Sequence, residues 1–239
     1  MDSDIRDISN EQEIVPISFR NDYNYDPLPP FVYTKELRIA ENLYSYFEEA
    51  KGCHCLDICT ETCSCVLASG SNTRIYESNG FMTDDFREFL KPDKLEIFYV
   101  NPKKGFGVRT LQPVKANQFV MEYTGDLALD EAHLNYDYGF SVDLDDIDYV
   151  VQTELHCNAA RFINHSCDCN LYSAKVVWDT LRIPHICFYA RRDIYKGEEL
   201  TIDYGKPFWD VKLREFTCEC GEAECQYKIP IIEENMQIS

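Results

Sequence analysis

Residues 161–170, "RFINHSCDCN", place an Asn-His pair, a hydroxyl and two cysteines within ten positions. Side chains of these types serve nucleophiles, metal sites and cofactor pockets. Near the C-terminus, "CECGEAEC" spaces Cys218, Cys220 and Cys225 as a metal knuckle. Structural zinc takes four tetrahedral ligands, so a fourth must come from elsewhere in the fold. "CHCLDICTETCSC" adds Cys53, Cys55, Cys59, Cys63 and Cys65, a second thiolate cluster with zinc as its expected occupant. With five thiolates at hand, His54 reads as a bystander. "KKGFGVRT" holds Gly105 and Gly107, read either as a tight bend or as backbone lying flat against a small cofactor. Tyr204, before Gly205, either holds a corner or presents a positioned hydroxyl.

A chain of 239 residues with 45% apolar content supports one large domain with small appendages. No run approaches the roughly 20 apolar residues of a membrane span. The acidic start "MDSDIRDISN" resembles neither a signal nor a transit peptide, so a soluble, intracellular protein is expected. In that setting the twelve cysteines point to metal thiolates before disulfides. The net charge of −19 argues against direct binding to a nucleic-acid backbone. Residues 116–160 carry ten acidic side chains and no Lys or Arg, a solvated face or a groove for a basic partner.

The elements that must hold these groups are mostly strands. "LEIFYV", "FGVRTL", "QFVMEYT", "DYVVQT", "AKVVW", "HICFYA" and "ELTIDY" follow one another from residue 95, separated by Gly, Pro, Asn and Asp. Residues 1–25 read as a flexible N-terminus of little importance to the fold. Residues 26–33, "DPLPPFVY", are extended. Apolar residues at 37, 40, 43, 44, 47 and 50 predict a helix over 34–51, with Thr34 as its N-cap and Gly52 as its stop.

In order and spacing, "KKGFGVR", "EYTGD", "RFINHSC", "GEELTIDYG" and the Cys-x-Cys-x4-Cys tail resemble a SET-domain protein lysine methyltransferase. The resemblance covers roughly residues 26–228. The Cys-rich segment after "DPLPPFVY" is similar to the pre-SET of the Su(var)-type branch that methylates lysine 9 of histone H3. "DTLRIPHICFYARRDIYKGEEL" and "DYGKPFWDVKLREFTCECG" look like its euchromatic members. The resemblance implies a mainly β fold of several small sheets with a threaded, knot-like C-terminal segment, flanked by zinc-binding pieces. The divisions expected are a pre-SET-like segment over 26–90, the SET domain over 91–205, a post-SET segment over 206–228 and a tail over 229–239.

It further implies methyl transfer from S-adenosylmethionine (SAM) to a histone H3 lysine in the nucleus, on the chromosome. The implied partners are the H3 tail and chromatin proteins, with no sequence-specific DNA contact and no membrane. By position, Tyr204 and Tyr123 are implied catalytic residues. Lys104, Gly105, Phe106, Gly107, Arg161, Asn164, His165 and Phe216 are implied at the cofactor. Phe140, Ile202 and Tyr172 are implied at the lysine channel. Cys167 is implied as the fourth ligand of the post-SET zinc, with Cys218, Cys220 and Cys225. Cys169 stands where the family usually has proline and is expected to be a free thiol.

The chain departs from the family in three further respects. No cysteine lies between Cys65 and Cys157, so the second half of the usual pre-SET cluster is missing and one or two zinc ions are expected there. Ile202 and Phe140 replace residues that are commonly hydroxylated or aromatic, which implies a roomier channel accepting di- or trimethylation; Tyr172, projecting in, would reverse this. Gln152-Thr153 replaces Asp-Ala. The damaged pre-SET also admits a catalytically weak chromatin scaffold, or a methyltransferase of a non-histone protein. A Ser166-His165 hydrolase is disfavoured, since neighbours in one strand rarely meet as nucleophile and base.

Overall fold

The computed structural model describes residues 5–47, 94–130, 139–144, 146–176 and 183–228. The five cysteines of residues 53–65 lie outside the described residues, as does the zinc expectation attached to them. Among the described residues, four small sheets carry the fold. The largest has the order β1 (Ser18–Arg20), β4 (Leu95–Asn101), β5 (Gly105–Thr110), β14 (Glu199–Ile202), β11 (Asn164–His165). A second joins β12 (Leu171–Val176), β13 (His185–Ala190) and β6 (Phe119–Tyr123). A third joins β3 (Arg38–Ile39), β7 (Asp126–Leu129), β9 (Ile147–Gln152) and β8 (Gly139–Leu144), and a fourth pairs β10 (His156–Cys157) with β2 (Val32–Tyr33). Leu95, Ile97, Val108, Val120, Leu171, Phe188 and Leu200 are fully buried where the sheets meet. Their strands read as apolar runs for that reason.

The late strand β14 lies between β5 and β11. It runs antiparallel to β5 and parallel to β11, pairing Asn164 with Thr201 and His165 with Ile202. This insertion brings "NHSC" beside "TIDY". Asn170, 2% exposed, locks it: its amide nitrogen donates to the Glu199 carbonyl (2.8 Å) and its amide oxygen accepts from the Thr201 N–H (2.9 Å).

Two expectations are corrected here, and one element is added. The helix over 34–51 is replaced, within the described residues, by β3 and a 3-10 turn at Glu41–Tyr46. Residues 38–39 pair with the edge of β7, and the Arg38 N–H donates to the Gly125 carbonyl (2.8 Å). Available backbone partners override helical spacing, and the Thr34 hydroxyl donates to the Glu36 carbonyl instead of capping. The N-terminus is not dispensable either. β1 extends the main sheet along β4, and Ile8, Ile17 and Phe19 are buried. Phe19 is 2% exposed and meets the Phe106 ring edge-on at 5.6 Å. Phe19→Ala is expected to cost about 3–5 kcal/mol of stability, measurable by denaturant unfolding.

The added element is a helix, α1 (Gly205–Lys212), where the sequence reads only as the end of the SET domain and the start of the post-SET segment. Gly205 takes φ +81°, which turns the chain out of β14. Asp203 Oδ1 accepts from the Gly205 N–H (2.9 Å), and Pro207 lies in the first turn, where its missing N–H costs nothing. The buried Trp209 anchors α1 against His165, with ring centroids 4.9 Å apart.

Candidate active site and metal centre

Two cavities meet at the junction of β11, β14 and α1. The first, about 700 Å³, is lined by Gly105, Phe106, Tyr123, Phe140, Val142, Arg161, Phe162 and Ile202, with Asp130, Asp143 and Asp148 on its wall. The second, about 620 Å³, is lined by Lys103, His165, Trp209, Lys212, Glu215, Phe216, Thr217, Cys218 and Glu219. Lys104, Asn164, Tyr204 and Phe208 belong to both and form the partition between them.

Tyr204 is the centre of that partition. Its hydroxyl donates to the Ile163 carbonyl (2.9 Å) and its backbone N–H donates to His165 Nδ1 (3.1 Å). Phe208 packs edge-on against its ring at 4.8 Å. His165 Nδ1 is thus an acceptor, which places the ring proton on Nε2, 3.4 Å from Cys167 Sγ. Burial, helped by the positive Lys104 and opposed by Asp203, lowers the His165 pKa to about 4. The imidazole is neutral at pH 7 and acts as a strut between the tyrosine backbone and the thiol.

Glu199 organises the partition from beneath. Its carboxylate accepts from Asn164 Nδ2 (2.8 Å) and lies 3.5 Å from Lys104 Nζ. Asn164 Nδ2 also donates to the Phe106 carbonyl (3.0 Å). Gly107 lines neither cavity. A Cβ there would lie 2.7 Å from Val100 Cγ2, 2.8 Å from Glu199 Oε1 and 3.0 Å from Asn164 Nδ2. The need for glycine at this position is therefore packing beneath the partition. Gly107→Ala is expected to cost about 1–3 kcal/mol and to disturb the Glu199–Asn164 contact, read as a lower unfolding midpoint.

Tyr123 is buried in the first cavity's wall, its ring 5.5 Å from Phe140 and 6.0 Å from Phe188. Its hydroxyl lies 2.9 Å from Thr153 Oγ1. Phe140 and Ile202 line the same cavity, but Tyr172 does not: it stacks on Tyr189 at 5.6 Å across the β12–β13 pair. The antiparallel register sends that ring away, so Tyr172 does not narrow the cavity. Phe106 and Arg161 also place their side chains on the first cavity. The Arg161 guanidinium donates to the Glu154 carbonyl (3.2 Å).

The sulfur atoms of Cys167, Cys218, Cys220 and Cys225 lie within 4.8 Å of one another, with Cys167 and Cys225 3.8 Å apart. A tetrahedron with bonds of about 2.3 Å to zinc spaces its sulfurs by about 3.8 Å. The four thiols fit that ion. Burial opposes ionisation of Cys220, but the backbone N–H groups and neighbouring thiols around it bring its pKa down to about 7. Cys169, two residues from Cys167, is buried apart from the cluster, and burial raises its pKa. The Gln226 N–H donates to Cys167 Sγ (3.3 Å), and Tyr227 stacks on Trp209 at 4.9 Å. Lys103 Nζ pairs with Glu219 (2.6 Å). Together these contacts fold residues 216–219 over the second cavity.

Sequence reading missed Glu199, Asn170 and Phe208, and noted Thr153 only as a departure from the family without its contact to Tyr123. Glu199, Asn170 and Phe208 lie in or beside quoted motifs, but their partners come from other segments. Spacing alone does not reveal such pairs.

The threaded strand order, the tyrosine partition and the four-thiol tail are the marks of a SET domain, and residues 105–205 match the family model described as SET domain. The chain carries a SET domain and is homologous to histone-lysine N-methyltransferases. It is 29% identical to EHMT1 of Homo sapiens over 93% of this chain and 20% of that protein. It is 28% identical to SUVH5 of Arabidopsis thaliana, named as H3 lysine-9 specific, over 93% of this chain and 32% of that protein. SUV39H2 of Gallus gallus is 33% identical over 74% of this chain and 51% of its own length. The chain thus spans about a fifth of EHMT1 and a third of SUVH5. Among solved structures, Arabidopsis thaliana SUVH6 in complex with SAM matches with TM-score 0.72 and 27% identity, covering 93% of this chain and 55% of that one. KRYPTONITE in complex with mCHH DNA, H3(1-15) peptide and SAH matches with TM-score 0.73 and 27% identity, covering 93% and 53%.

Proposed function

We propose that this protein transfers methyl groups from SAM to a lysine of histone H3, with lysine 9 as the target. The observation that carries the reading is the pair of cavities that share Lys104, Asn164, Tyr204 and Phe208 in their linings. Such an arrangement lets two reactants occupy neighbouring cavities and meet at one shared wall. The second cavity suits an adenosyl cofactor. Phe216, 48% exposed, offers an aromatic face to a planar base, and Asn164, Lys104 and His165 offer polar groups at the inner end. When bound there, SAM supplies an electrophilic methyl group on a sulfonium.

The first cavity takes the lysine. Free lysine has a pKa of about 10.4, so most of it is protonated at neutral pH. The rings of Phe106, Phe140, Phe162 and Phe208 and the side chain of Ile202 disfavour the ammonium and favour the neutral amine. Because the Tyr204 proton is committed to Ile163, its oxygen offers lone pairs to an amine N–H. Holding that N–H turns the nitrogen lone pair toward the second cavity, and the rate gain comes from this orientation. Asp130, Asp143 and Asp148 on the wall suit a basic tail, though Asp143 is shared with Lys175 (3.1 Å).

We assign the protein to chromatin in the nucleus, a reading supported by its similarity to proteins named histone-lysine N-methyltransferases. With net charge −19, we assign DNA contact to chromatin partners and not to this chain. Among the described residues, no helix is long and apolar enough to cross a membrane. Calorimetry tests the two-cavity arrangement. SAH should bind once per chain, and an H3 tail peptide should then bind to the loaded protein without displacing it. Competition between the two would contradict separate cavities.

A further inference from the structure

Thr153 is fully buried and follows the last residue of β9. Its hydroxyl lies 2.9 Å from that of Tyr123, and the pair is shielded from solvent. The surroundings leave the pair little room to separate. A Cβ on Gly125 would meet the Gln152 carbonyl at 2.2 Å and the Thr153 methyl at 2.9 Å, so residues 152–153 press directly on the β6–β7 turn. Asp126 pairs with Gln152 in the sheet, and the Tyr123 ring is held between Phe140 and Phe188. Neither the threonine backbone nor the tyrosine ring swings away cheaply.

This contact bears on the size of the amine that the first cavity accepts. A tyrosine hydroxyl in a buried channel needs a hydrogen-bond partner. If that partner is a water in the channel, the water occupies space that an added methyl group needs. Thr153 supplies the partner from outside the cavity lining and draws the hydroxyl toward the sheet. The cavity then meets the amine with the Tyr123 ring, Phe140 and Ile202, and methyl groups fit against these surfaces without displacing a bound water.

We infer that Thr153 is a positioning residue that sets the degree of methylation, holding the Tyr123 hydroxyl so that the channel accepts a third methyl group. The inference rests on the methyltransferase reading above. Its test measures, within one preparation, the rate of transfer to a dimethylated H3 peptide relative to an unmodified one. Taking the ratio within one preparation removes the effect of partial unfolding. Thr153→Val keeps the shape and deletes the hydroxyl; it is expected to lower the ratio roughly fivefold to tenfold, the worth of about one hydrogen bond. Thr153→Ser keeps the hydroxyl and is expected to hold the ratio within about twofold of the parent. A ratio unchanged or raised in Thr153→Val overturns the inference, as does a parent protein that stops at mono- or dimethyl-lysine. A parent protein that methylates no peptide overturns both this inference and the reading beneath it.

Discussion

Tyr204→Phe is expected to lower methyl transfer by about a thousandfold while leaving SAM affinity within a few fold. The size of the effect follows from where the hydroxyl lies. It stands on the partition shared by both cavities, with its proton given to the Ile163 carbonyl at 2.9 Å. The oxygen therefore offers lone pairs in a fixed direction before any substrate arrives, and a fixed dipole in a water-poor site costs no reorganisation during reaction. Phenylalanine keeps the ring against Phe208 and His165 and keeps the backbone N–H on His165 Nδ1. The fold and the second cavity should survive. Single-turnover rates and SAM titrations on the same preparation separate the two effects. A variant that retains more than about a tenth of the parent rate would show that this hydroxyl does not orient the amine.

Loss of the four-thiol site is expected to be nearly as damaging, but through binding. Cys167 comes from the loop after β11, whereas Cys218, Cys220 and Cys225 come from the tail after α1. The ion these thiols fit would join the two, and such a bond contributes folding energy to the short tail it closes. That tail supplies Phe216, Thr217, Cys218 and Glu219 to the second cavity. Cys167→Ser should remove one zinc per chain and weaken SAM binding by about a hundredfold or more, roughly 2.7 kcal/mol. The main sheet has its own core of Leu95, Ile97, Val108 and Leu200 and should remain folded. Metal analysis and SAM titration read the two parts. Unchanged metal content in Cys167→Ser would remove Cys167 from the ligand set, and unchanged SAM affinity after zinc loss would detach the tail from cofactor binding.

The strands and the site were legible to different degrees, for physical reasons. β13 was read at its true bounds, because "HICFYA" is a compact apolar run buried between two neighbours. The four-thiol cluster joined Cys167 to a tail 58 residues away. That link came from resemblance, since no local pattern connects the two segments. The helix expected over residues 34–51 failed because backbone pairing with β7 outweighed the helical spacing, of which Tyr44 is left exposed. The reverse error hid α1, whose first turn holds Gly205 and Pro207, both poor helix formers in an interior and both tolerated at a start. Gly107 was read as a bend or a cofactor contact, and its real constraint comes from Val100, Glu199 and Asn164. The roles of Glu199 and Thr153 escaped notice because each acts on a partner 30 or more residues away.

The most direct measurement is the mass of an H3 tail peptide after incubation with this protein and SAM. The expected result is a gain of whole methyl groups, confined to lysine 9, abolished when Tyr204 is replaced by phenylalanine. A peptide of unchanged mass, with SAM bound once per chain, would contradict methyl transfer to this tail.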